Sequence, residues 1–207
     1  MNTQAEPKDF VFDALSEAAV VREISHYPEG KQVSAVKTLL DIAQRQMGRT
    51  TGSAWLPRVA MDAVAKRLGV ASIRVYEIAT FYTMFNLTPV GKYHLQLCTT
   101  TPCWLRGSDD IIAACKKVSG IREFGQTSED GLFTMTEVEC LGACVNAPIL
   151  QVNDDYYEDV DGAAAEALLI KLKAGEPLPP SGSVIGRQTS APVENQTTLL
   201  SVNGLSE

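Results

Sequence analysis

Two short cysteine clusters carry the chemistry that can be read directly from this chain: Cys98-Thr-Thr-Thr-Pro-Cys103 and Cys140-Leu-Gly-Ala-Cys144. Thiolates are good metal ligands, and two close pairs brought together by a fold make a four-sulfur metal site. Such a site holds either a structural zinc or an iron-sulfur cluster. In a binuclear cluster each iron keeps two bridging sulfides and takes two thiolates, so two cysteine pairs meet the requirement with none left over. Structural zinc prefers about two residues between paired ligands, and both gaps here lie at or beyond that range. The spacing favours iron-sulfur and leaves zinc open. A thiol-exchange centre calls for Cys-x-x-Cys, which neither cluster offers.

The residues between the cysteines fit a charged sulfur core. Thr99 to Thr101 and Leu141 to Ala143 are expected to turn backbone N–H groups and hydroxyls toward the sulfurs. Pro102 is expected to hold Thr101 out of helix and so keep the first loop open, and Gly142 to let the second loop turn tightly. Arg106 either lends positive charge to the site or is an ordinary solvated arginine. Cys115 shares a helical phase with Ile111 and Val118 and reads as a small core residue. His26 and His94 lie outside both loops, and each reads as a capping or sheet-face residue rather than a ligand. Asp154, Asp155, Glu158 and Asp159 lack the glycine and ligand spacing of a calcium loop and read as a solvated turn. No nucleotide fingerprint, nucleophile elbow or acid/base constellation accompanies the cysteines, so no substrate chemistry is expected of the chain itself.

The elements that must position the cysteines follow from periodicity. Val36, Leu39, Leu40, Ala43 and Met47 recur at helical spacing, with Gly48 placed to end the segment. Leu56, Ala60, Ala63 and Val64 repeat the pattern, with Pro57 near the helix start and Gly69 just past its end. Ser72 offers an N-cap to a helix carrying Val75, Ile78, Ala79 and Tyr82. An earlier, weaker helix covers Asp13 to His26. Together these predict a small helical bundle over residues 1–88. After Pro89, the alternation of Tyr93, Leu95 and Leu97 with His94 and Gln96 predicts a strand running into Cys98. Ser108 can cap a helix that Gly120 ends. Strands are expected over Phe133 to Glu139 and Ile149 to Asn153, and a closing helix over Ala163 to Lys173. The expected class is α+β: the bundle, then an α/β domain over 89–174 in the order strand, helix, strand, strand, helix, with both cysteine loops at strand ends. Residues 175–207, rich in Pro, Gly and Ser, are expected to form an extended or mobile tail.

Composition excludes several functions. The chain has 207 residues, 45% hydrophobic and 21% charged, which suits a packed globular core. A formal net charge of -7 argues against nucleic acid as a partner. No apolar stretch is long enough to span a bilayer, so no direct membrane insertion is expected. Met1 to Asp9 shows neither a signal core nor an Arg-rich transit pattern, which predicts a cytosolic-side protein with reduced cysteines.

Three runs extend the pattern beyond the ligand spacing. Ala79-Thr-Phe-Tyr-Thr-Met-Phe-Asn86, Pro89-Val-Gly-Lys-Tyr-His94 leading into the first cluster, and Glu139-Cys-Leu-Gly-Ala-Cys-Val-Asn-Ala-Pro148 closely resemble the 24 kDa subunit family of respiratory complex I. In bacteria this family supplies the corresponding small subunit of the proton-translocating NADH:quinone oxidoreductase. The resemblance spans about Asp13 to Lys173, with no departure at the four cysteine positions. It implies a thioredoxin-like domain carrying one 2Fe-2S cluster, with Cys98 and Cys103 on one iron and Cys140 and Cys144 on the other. It also implies tight association with the flavoprotein subunit that binds FMN and NADH, and with the other peripheral-arm subunits of complex I. The cluster would exchange one electron with the flavin, while NADH oxidation belongs to the partner. The implied location is cytoplasmic and peripheral to the inner membrane, or on the matrix side in a mitochondrion. Related subunits serve NAD-linked hydrogenases and formate dehydrogenases, which stand as the alternative parent assemblies, and a zinc-stabilised scaffold module is the remaining one.

Overall fold

The computed structural model describes residues 6–187 and 189. The chain divides into two compact units. The first holds the described residues up to Lys92 together with Glu129–Phe133, and the second holds Tyr93–Ser128 and the described residues from Thr134 onward.

The first unit is built from four helices: α1 (Ala14–Ser25), α2 (Val36–Thr51), α3 (Arg58–Leu68) and α4 (Ser72–Phe81). Their apolar stripes meet in a core of Val20, Leu39, Leu40, Ala43, Leu56, Val64, Val75 and Phe85. Burial of each large aliphatic side chain contributes about 1.5–3 kcal/mol. Asp13 caps α1 by accepting from Ser16 N at 2.7 Å, and His26 is its C-cap, as a capping role requires. Gly69 and Gly120 close their helices as expected.

Two expected boundaries shift. Gly48 does not end α2; the helix runs on to Thr51, and Gly52 takes the left-handed cap at φ 77°. A Cβ on Gly48 would come within 3.1 Å of the Ala54 Cβ, so the small residue serves close approach rather than termination. Ser72 is the first residue of α4 and Ala71 its N-cap; the nearby Ser72 and Tyr76 hydroxyls hold the Asp62 carboxyl below its usual range.

Asn86 fastens the end of this unit. Its backbone N–H donates to Gln44 Oε1 at 2.7 Å, its side chain donates to Ala54 O at 2.9 Å, and its carbonyl accepts from Leu56 N at 2.8 Å. Four residues on, the buried Ser53 hydroxyl makes both of its bonds to the Val90 backbone, at 2.7 and 2.9 Å. Gly91 then passes so near the 131–133 backbone that a Cβ there would sit 2.8 Å from the Phe133 carbonyl carbon.

The second unit is a six-stranded sheet with helices. Its strands are β1 (Tyr93–Cys98), β2 (Gln126–Thr127), β3 (Phe133–Val138), β4 (Leu150–Val152), β5 (Asp155–Glu158) and β6 (Gly182–Ser183), in the order β2-β3-β1-β4-β5-β6. The β1–β4, β2–β3 and β4–β5 pairs are antiparallel, and β5–β6 is parallel. Three helices accompany it: α5 (Thr101–Leu105), α6 (Ser108–Ser119) and α7 (Gly162–Lys173). α6 packs on β1 and beside α7. Gly162 meets Asp110 at the α6 start, and Lys117 pairs with Glu166 at 2.6 Å, so the two helices run in the same direction. Buried Leu95, Leu97, Ile111, Met135, Leu150, Leu169 and Leu172 form the core.

Here too some local expectations are corrected. Gly107 is the N-cap of α6, and Ser108 is its first residue, fully inside. The 154–159 stretch is not wholly a solvated turn: Asn153 and Asp154 turn the chain, and Asp155–Glu158 is β5, because Tyr156 and Tyr157 favour a half-buried strand. Of the expected tail, 175–187 is described and is tied to β5. Tyr157 Oη donates to Pro179 O at 2.9 Å, Val184 N donates to Glu158 O at 3.0 Å, and Ser183 Oγ donates to Asp159 Oδ2 at 2.7 Å. Arg187 Nε lies 3.3 Å from the same carboxylate. Residues 188 and 190–207 of that tail lie outside the described residues.

Candidate metal centre

The cysteines sit at or beside the ends of short elements. Cys98 is the last residue of β1, Cys103 lies within α5, Cys140 follows β3, and Cys144 opens a 3-10 turn over Cys144–Asn146. The first loop is more ordered than expected. Pro102 does not keep it open; it occupies the first turn of α5, where the missing N–H costs nothing and the fixed φ suits a helix. Thr101 is therefore helical, and Cys103 is carried on a short helix rather than an open loop. Gly142 turns the second loop at φ 85°.

The two loops meet. Cys140 Sγ and Cys144 Sγ are 3.1 Å apart, and Cys98 and Cys103 lie together in one buried cluster. Leu141 and Ala143 of the second loop pack against the buried Cys98 and Cys103 of the first, and Thr100 Oγ1 lies 3.1 Å from Cys98 Sγ. Gly142 N donates to Cys140 Sγ at 3.4 Å. Thr99 is turned away, donating to Glu137 Oε1 at 2.7 Å. Cys98 and Cys103 are buried with Ala147 and Ile149 against Leu141, Ala143 and Tyr156, whereas Cys140 is exposed. Among the described residues, no three His, Cys, Asp or Glu side chains are gathered around one ion; the thiols come as two pairs.

Within each pair the protons are unequally held. Burial pushes the Cys98 thiol up, but bonds from Thr100, Cys103 and the Leu141 N–H outweigh it and leave Cys98 below the ordinary value. Burial, then the bond to Cys98, pushes Cys103 up to about 12. Cys144 and the Gly142 N–H lower Cys140, and that same bond, with burial, raises Cys144. A metal bound by such a pair displaces the protons of both sulfurs. The donor set, soft sulfur arranged two by two with N–H and hydroxyl donors around it, fits a binuclear cluster.

The other sequence candidates fall outside the centre. Cys115 is fully buried in α6, and burial raises its thiol to about 12. His94 is buried on β1 with Nε2 2.7 Å from Thr136 Oγ1, and burial lowers its pKa to about 4. Arg106 is an exposed residue whose Nε donates to Ala147 O at 3.4 Å, tying the end of α5 to the chain beyond Cys144. Sequence reasoning missed Tyr156, whose hydroxyl donates to Leu141 O at 3.1 Å; the alternation of Tyr156 and Tyr157 was the signal for it. An apolar rim of Trp104, Leu105 and Val145 stands exposed beside the cysteines, at 56%, 70% and 67%.

The second unit thus joins a six-stranded sheet flanked by helices to two thiol pairs on loops that pack together. The family model of thioredoxin-like 2Fe-2S ferredoxins matches residues 20–173, and the chain belongs to that family. It is 51% identical to the E subunit of the NADH-quinone oxidoreductase of Rickettsia typhi over 169 residues, covering 82% of this chain and 96% of that protein. It is 44% identical to "NADH dehydrogenase [ubiquinone] flavoprotein 2, mitochondrial" of Dictyostelium discoideum over 199 residues, 96% of this chain and 77% of that one. Among solved structures, an NAD+-reducing NiFe hydrogenase in the H2-reduced state shares the fold at a TM-score of 0.56 and 21% identity. That match covers 67% of this chain and 22% of the hydrogenase chain.

Proposed function

We propose that this chain is the electron-transfer subunit of an NADH:quinone oxidoreductase, and that Cys98, Cys103, Cys140 and Cys144 hold a 2Fe-2S cluster. Cys98 and Cys103 would bind one iron, and Cys140 and Cys144 the other. When bound, such a cluster accepts and returns one electron. The observation that carries the proposal is the packing of the second pair's loop, through Leu141 and Ala143, against buried Cys98 and Cys103, in a chain half identical to subunits named for that oxidoreductase.

The residues divide the work simply. Burial of Cys98 and Cys103 keeps water from one side of the centre, while exposed Cys140 leaves the other side open to a partner. The apolar rim of Trp104, Leu105 and Val145 gives that partner a surface to cover. We assign the partner as the flavoprotein subunit that carries FMN and oxidises NADH, within the peripheral arm on the cytoplasmic or matrix side. No described helix is long and apolar enough to cross a membrane.

Replacing Cys140 with serine tests the ligand set. The visible absorption and the paramagnetic signal of the reduced protein should be lost, and both persisting unchanged would contradict the assignment. Purifying the native assembly and identifying its subunits tests the parent complex: quinone-reductase subunits support it, and a hydrogenase or formate dehydrogenase subunit in their place contradicts it.

A further inference from the structure

Among the described residues, the Leu141–Gly142 peptide is an amide that faces both a cysteine sulfur and a side chain from another element. Its N–H, on Gly142, points at Cys140 Sγ at 3.4 Å, and its carbonyl oxygen, on Leu141, accepts from Tyr156 Oη at 3.1 Å. The two bonds therefore load opposite ends of one peptide dipole. A hydrogen bond received at the carbonyl polarises the amide and strengthens the bond its N–H gives. The phenol is held in place by its strand: Tyr156 is half-buried on β5 and packs against the Cys98 and Cys103 side of the centre. The next residue, Tyr157, points to the other face of the sheet and gives its hydroxyl to Pro179 O.

We propose that Tyr156 is a positioning residue that raises the reduction potential of the centre by polarising the Leu141–Gly142 amide against the Cys140 thiolate. The proposal rests on the cluster reading above. Bonds to ligand sulfurs favour the more negative, reduced state, so weakening one lowers the potential. The hydroxyl acts at two bonds' remove from the sulfur, and no other element need move for it to act.

The test is a redox titration of the full chain, followed by visible absorption and by the paramagnetic signal, for the wild type, Tyr156→Phe and Tyr157→Phe. Tyr156→Phe keeps the ring and its packing and removes only the hydroxyl. The expected result is a lower midpoint for Tyr156→Phe, a change of about threefold in the one-electron equilibrium or ~28 mV at 59 mV per decade. Tyr157→Phe should titrate with the wild type, and iron content should be equal in all three. An unchanged or raised midpoint in Tyr156→Phe, or an equal shift in both variants, would overturn the proposal while leaving the cluster reading intact. A wild-type chain without iron and sulfide would overturn the cluster reading and this proposal with it.

Discussion

Thr100 Oγ1 stands 3.1 Å from Cys98 Sγ, just past the end of β1. Toward a thiolate, the hydroxyl is the donor. Thr100→Val keeps the shape and removes that donor, so the reduced centre loses about 1 kcal/mol of stabilisation, or ~40 mV for one electron. Redox titration of the variant should show the fall. Thr99→Val should not, because Thr99 serves Glu137 instead.

His94 predicts a pH dependence. Its folded pKa is lowered to about 4 by burial, against an ordinary value of 6.5. Below pH 6.5 the unfolded chain takes up a proton that the folded chain refuses, so stability contributed by the neutral ring is complete above pH 6.5 and declines as pH falls toward 4. The contribution is at most about 3 kcal/mol. Thermal melts of wild type and His94→Gln should therefore differ most near neutrality and converge through the window from 6.5 to 4. A gap that widened on acidification would contradict this.

Two glycines separate fold stability from the centre. At Gly142, φ is 85° and the space around a Cβ is open, so Gly142→Ala costs about 1 kcal/mol of backbone strain, a drop of about 3 °C in Tm. It should also disturb the visible spectrum, because the Gly142 N–H faces Cys140. At Gly91, a Cβ would press on backbone at 2.8 and 2.9 Å. Gly91→Ala should lower Tm by more, and leave the spectrum of the folded protein unchanged.

Much of this was legible from residues alone. The helical stripes of Leu39, Leu40 and Ala43, the strand leading into Cys98, and the caps at Gly69 and Gly120 all stand where periodicity and helix-end chemistry put them. What was not legible depends on contacts made elsewhere in the chain. Gly48 looks like a stop signal, yet its smallness answers to Ala54. Pro102 before a cysteine looks like a helix breaker, yet at a first turn it is a helix starter. Ser72 and Ser108 stand one residue inside the helices they appeared to cap. Strands β2 and β6 have two residues each, too few for any periodicity to show. The closeness of the cysteines within each loop was plain from spacing, whereas the packing of Leu141 and Ala143 on Cys98 and Cys103 required the fold.

The central claim is tested most directly by metal and sulfide analysis of the full chain purified without air, with its spectrum recorded before and after reduction. The account predicts about two irons and two acid-labile sulfides per chain, visible absorption, and a paramagnetic signal on one-electron reduction. A colourless protein holding about one zinc and no sulfide would contradict it.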